Sequence, residues 1–110
     1  MPDFTKVFQK AYDVKRTVLQ PRAGELKLYD NDGQSIETIT RGWLAEEISG
    51  EEIGGKIIEL KITDLDESDF SDVVFFGFGG YRYERNAPPN PPTGNPRQWV
   101  WRIVPVGVEP

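Results

Sequence analysis

The chain has 110 residues, 37 % of them hydrophobic, with 11 glycines and 9 prolines; this suits one turn-rich domain with one core and excludes disorder throughout. Cysteine and histidine are both absent, which excludes disulfides, thiolate or imidazole metal sites, Ser–His and Cys–His acyl transfer and the usual neutral-pH general base. The formal charge of −5 is unevenly spread, at +1 over residues 1–41, −8 over 42–75 and +2 over 76–110, and no clustered basic stripe supports tight nucleic-acid binding.

In chain order, Phe4, Val7, Phe8, Ala11 and Tyr12 form one stripe at helical spacing, with Asp3 placed to cap it, so a helix is expected over 4–14. It belongs to an N-terminal helical arm, residues 1–15. The Met1-Pro2-Asp3-Phe4 start has no charged-then-apolar pattern, so no secretion signal is expected. Pro21 to Gly24 marks a break. The period then becomes two: Leu26 and Leu28 alternate with Lys27 and Tyr29, Asn31-Asp32-Gly33 turns, and Ser35 to Leu44 returns as a second strand. Glu46 to Lys56 is polar, glycine-rich and aperiodic, and reads as a loop. Ile58, Leu60 and Ile62 alternate with Glu59, Lys61 and Thr63, as in a half-buried strand.

An acidic loop is expected from Asp64 to Asp72, then a strand from Val73 to Phe78 that is apolar on both faces. Gly79-Gly80 returns it as Tyr81 to Arg85. The proline-rich run 88–96 reads as an extended surface loop unable to pair. The last strand, Gln98 to Val106, puts Trp99, Trp101 and Ile103 on one face; Pro105 is expected to end its pairing, and 107–110 to form a short tail. The sum is a mainly β chain: a small antiparallel β-barrel or sandwich of about six strands with one N-terminal helix, in a single domain over residues 1–110.

Three patterns invite a chemical reading. Gly50-Glu51-Glu52-Ile53-Gly54-Gly55-Lys56 has phosphate-loop spacing, but Ile57 stands where Ser or Thr is needed and a strand follows in place of a helix. Asp64, Asp66, Glu67, Asp69 and Asp72 could offer oxygens to a hard cation, but without the central Gly and closing Glu of a calcium loop. Glu46, Glu47, Glu51 and Glu52 lack a scaffold large enough to set two carboxyls across a cleft. No enzyme activity, cofactor or metal is therefore expected. Phe75 and Phe76 are adjacent in a strand and face opposite ways, so both faces must be covered, by the fold or by another subunit.

Asp3-Phe4 with Phe8 and Ala11, the Arg41-Gly42-Trp43-Leu44 strand end, Asp72-Val73-Val74-Phe75, Gly79-Gly80-Tyr81-Arg82-Tyr83, a Pro/Gly loop and a Trp-containing last strand occur in an order that resembles the lambda-type head–tail joining proteins of long-tailed phages. The Gly-Asp usual before the gate-like strand is Ser71-Asp72 here. The resemblance implies a structural virion protein of the neck, made in the host cytoplasm. It would form a ring, on the order of six or twelve copies, that closes the DNA-filled head at the portal or adaptor. The ring would dock the tail terminator or tail-tube protein, DNA would pass without specific binding, and no membrane is involved. A tail terminator or baseplate component, or a carbohydrate- or protein-binding β module, are the alternatives. A carbohydrate module would need Tyr81, Tyr83, Trp99 and Trp101 exposed as a stacking platform. Expected interface residues are Phe4, Phe8, Phe75 and Phe78 as apolar anchors, Arg82 and Arg85 on a basic face that also holds Arg97 and Arg102, and Glu51, Glu52, Asp66 and Asp69 on an acidic one.

Overall fold

Apolar and polar residues alternate at 26–29, 58–63 and 98–103, and in the computed structural model these segments become sheet. The structure describes residues 15–19, 24–50 and 55–109. The helix expected over 4–14, with Phe4 and Phe8, lies outside them, as do Glu51 and Glu52. Among the described residues there are nine strands: β1 (Lys15–Val18), β2 (Leu26–Tyr29), β3 (Ser35–Ile39), β4 (Trp43–Gly50), β5 (Gly55–Asp64), β6 (Phe75–Phe78), β7 (Tyr81–Arg85), β8 (Asn90–Thr93) and β9 (Arg97–Val108). Eight form one antiparallel path, β1-β4-β5-β9-β7-β6-β2-β3, and β8 pairs with β9 beside it. No helix among the described residues is long and apolar enough to cross a membrane.

The sheet is rolled but not closed. Three strands separate β4 from β6, so a flat sheet would hold them roughly 19 Å apart. Yet the rings of Trp43 on β4 and Phe78 on β6 meet with centroids 5.4 Å apart, and the Trp43 indole N–H donates to the Gly24 carbonyl ahead of β2 at 2.7 Å. The concave face encloses one core: Leu26 and Leu28, Trp43 and Ala45, Ile58, Leu60 and Ile62, Phe70, Val73, Phe76, Phe78, Tyr83, and Trp99, Trp101 and Ile103. Phe78 stacks on Tyr83 at 4.4 Å, and Phe76 meets Trp101 edge-on at 5.2 Å. Such pairs add to the apolar area already buried.

Several expectations need correction. The segment 35–44 is two strands, because Gly42 takes a positive φ of 77° that most residues avoid. The chain thereby leaves β2 and joins β5, with the Thr63 N–H donating to the Gly42 carbonyl at 2.7 Å. Of the stretch 46–56 expected as a loop, residues 46–50 and 55–56 are strand: β4 and β5 pair antiparallel in a ladder that runs from Trp43↔Ile62 to Gly50↔Gly55, and residues 51–54 lie outside the described ones. The proline run does pair, as β8, with Asn90 opposite Val100 and Thr93 opposite Gln98; Pro91 and Pro92 fall between those positions on an edge strand, where a missing N–H is tolerated. Pairing also survives Pro105, which sits opposite Tyr83 at a bulge. The ladder to β5 ends at Ile103, so no partner there lacks the proline's N–H. Gly107 and Val108 of the expected tail are therefore strand, and β1 begins at Lys15, the last residue of the expected helical arm.

Candidate interaction surface

The outer face of β7, β6 and β2 carries a clasp that begins with a glycine. Arg82 lies opposite Gly77 on β6, and Gly77 opposite Lys27 on β2. With no side chain at Gly77, Arg82 reaches across β6 and lays its guanidinium over the Tyr29 ring, 4.4 Å from the centroid. Glu109 fills the same space, and a Cβ at Gly77 would collide with its carboxylate. Glu109 accepts from the Tyr29 hydroxyl at 2.7 Å and from Arg82 Nε at 3.4 Å. Its own N–H donates to the Gly80 carbonyl at 3.0 Å. Burial, reinforced by the Glu109 carboxylate, raises the Tyr29 phenol above its ordinary 10.0. The end of the chain is thus tied to two strands.

A second charged face lies outside β1, β4 and β5. Register aligns Val18, Glu46, Glu59 and Arg102 in one row across β1, β4, β5 and β9. Glu59 lies 3.4 Å from Arg16 and 3.2 Å from Lys61, and Glu46 lies 3.6 Å from Arg16 and 4.0 Å from Lys61. Two carboxylates of the acidic segment are therefore matched within the subunit, one cation coming from β1. Exposed pairs of this kind add about 0–1 kcal/mol each.

The acidic loop divides in two. Asp64 is buried, taking the Trp99 indole N–H at 3.2 Å and the Asp66 backbone N–H at 3.2 Å. Asp66, Glu67, Asp69 and Asp72 are exposed. The Ser71 backbone N–H, 3.0 Å away, holds the Asp69 carboxyl below its ordinary value. Among the described residues no group of three or more such side chains is placed to hold a metal ion. An open groove of about 520 Å³ runs between this loop and the end of β3, with Ile39, Ile62 and Phe70 among its lining.

The expected site residues do not form one patch. Phe78 is core, not an anchor for a neighbour, because Trp43 and Tyr83 enclose it. Phe75 is half-buried, opposite Tyr29 and Glu84. Arg82 is held in the clasp, and Arg85 donates to the Ser71 carbonyl at 3.0 Å. Asp66 and Asp69 are free to face a partner, whereas Arg97 lies over Trp99, 5.6 Å from its centroid. A carbohydrate platform is not assembled, since Tyr83, Trp99 and Trp101 are buried and only Tyr81 of the four is exposed.

Sequence reading missed Tyr29 and Glu109, which no local pattern links across 80 positions. It also missed the sheet's two end strands, β1 and β3, each bonded on one side only among the described residues. The exposed aliphatics Val18 and Ile36 are the signal that could have marked them. Comparison with protein-family models, with curated proteins and with solved structures finds no match for the chain.

Proposed function

We propose that this chain is a structural subunit that works by docking to other proteins, as a head–tail joining protein of a tailed-phage neck. In this reading it closes the DNA-filled head at the portal or adaptor and presents a surface to the tail. One observation carries the docking role: among the described residues most of the aromatics go into the chain's own core, while the sheet around that core ends in two strands, β1 and β3, that pair on one side only. Edges of this kind invite another chain to continue the ladder. The order of residue motifs that resembles the lambda-type joining proteins supplies the particular role. Exposed carboxylates at Asp66, Glu67, Asp69 and Asp72 suit a lumen through which DNA slides, since they repel its phosphates.

The test is to mix the purified chain with portal rings and with tail-tube rings, and to image each mixture by negative stain. Added density capping the portal is the expected result. Density on the tail tube alone would move the protein to a tail-end position. Binding to neither would remove the neck reading.

A further inference from the structure

β9 changes character along its length. From Arg97 to Ile103 it is paired with β5, and Trp99, Trp101 and Ile103 belong to the core. The β5 ladder then stops. Among the described residues, Pro105 to Val108 lie along β7 alone, with Tyr81 opposite Val108, Arg82 opposite Gly107 and Tyr83 opposite Pro105. Val106 is the extra residue of the bulge between them, which interrupts the ladder, and Pro105 has no N–H to give it. All four residues are exposed, Val106 at 48 % and Val108 at 74 %, and none belongs to the core cluster. A segment with so few buried apolar contacts opens at a smaller free energy than the core it adjoins.

One device at the segment's end opposes that opening. The Glu109 N–H donates to the Gly80 carbonyl at 3.0 Å. Its carboxylate accepts from the Tyr29 hydroxyl at 2.7 Å and from Arg82 Nε at 3.4 Å. The Glu109 side chain is 12 % exposed, far less than the residues before it, and the bare backbone of Gly77 makes room for it. Arg82 lies on β7, the strand the segment pairs with, and Tyr29 lies on β2, two strands further on. Hydrogen bonds to a charged group are among the stronger ones in a protein. The segment is thus weakly held along its length and firmly held at its tip.

We infer that residues 105–109 form a strap, latched shut by the Glu109 carboxylate, that opens from β7 as a unit while the core stays folded. Its hinge falls at Val104 and Pro105, just past the end of the β5 ladder. Opening uncovers Arg82 and the Tyr29 hydroxyl, both engaged by Glu109 while the strap is shut, and leaves Tyr81 to Tyr83 bonded to β6 alone. The device is independent of the docking role proposed above.

The test is native-state hydrogen exchange over a series of sub-denaturing urea concentrations, with the Glu109 amide reporting on the strap and the amides of β5 on the core. In the wild type, strap amides should exchange faster than those of β5 and with little dependence on urea, because a local opening exposes little surface. Glu109→Ala should speed exchange at position 109 and at the protected amides of 106–108 about ten- to a hundredfold, the effect of losing hydrogen bonds to a charged group. Glu109→Gln keeps an acceptor and should fall between the two. Gly77→Ala keeps Glu109 but puts a Cβ into the carboxylate's space, and should also speed the strap. If Gly77→Ala does not fold by circular dichroism, Glu109→Ala, which touches no core residue, still decides. Strap amides with the rate and urea dependence of β5 would overturn the proposal, since the segment would then open only with the whole domain. Exchange unchanged in Glu109→Ala would remove the latch. A change confined to position 109 would overturn the strap as a unit and leave only a fraying tip.

Discussion

Among the described residues, Asp64 is the one buried charged side chain, and its two acceptor bonds account for its place. Trp99 is 5 % exposed and depends on that carboxylate for its indole N–H. Asp64→Ala leaves the N–H unsatisfied and should cost about 1–3 kcal/mol in urea unfolding, with Asp64→Asn costing less because an acceptor remains. Equal losses for the two variants would show that the bond to Trp99 is not the reason. The clasp residue Tyr29 makes a pH prediction. Its folded pKa is raised above the ordinary 10.0, so the folded state holds the proton after the unfolded chain has lost it. The stabilisation is fully present below pH 10 and disappears as pH climbs through the raised folded value. Tyr29→Phe should therefore lose about 1 kcal/mol near neutral pH, and its stability should converge on that of the wild type in alkali. Parallel curves for the two proteins would refute the assignment.

At the scale of elements, the β4–β5 hairpin and β9 carry the architecture. β5 lies between β4 and β9, and its Leu60 is fully buried, with Ala45 on one side and Trp101 on the other. Leu60→Ala should destabilise by about 2–5 kcal/mol, read as a lowered urea midpoint. An unchanged midpoint would remove β5 from the centre. The ladder from Glu46 to Ser49 predicts slow amide exchange in a polar stretch with no apolar period, whereas β8, an edge strand paired through two register positions, should exchange fast. Hydrogen exchange that is equally fast in both would contradict the hairpin. Cross-strand pairing explains how Glu46 to Gly50 can be strand at all: its partners on β5 supply the regularity that its own residues lack.

For the whole molecule, the rolled sheet consumes its aromatics. Trp43, Trp99 and Trp101 are 4 %, 5 % and 1 % exposed, so iodide should quench tryptophan fluorescence only weakly until the protein is unfolded. Strong quenching in the native state would open the core and revive a stacking platform. Among the described residues, the large hydrophobics that remain exposed include Val18 on β1 and Ile36 on β3, the two end strands of the sheet. Phe78 shows why the interface residues were hard to read: an apolar residue beside a glycine turn looks alike whether its own fold or a neighbour covers it.

By itself the sequence determined whatever depends on neighbours along the chain. The β2–β3 hairpin follows from Asp30, whose carboxylate takes the backbone N–H groups of Asp32 and Gln34 at 2.9 Å each. The inward set Ile58, Leu60 and Ile62, and the facing of Trp99, Trp101 and Ile103, follow from a period of two. Only the tertiary structure decided which strands meet. Gly42 sends β4 to β5, Glu109 returns to Tyr29, and Arg16 crosses to Glu59, 43 residues away. Such contacts are set by how the sheet rolls around one core, and no local period records that curvature. For the same physical reason the identity of the end strands belongs to the fold: a strand's sequence dictates its faces, whereas its number of neighbours is settled by the path of the whole sheet.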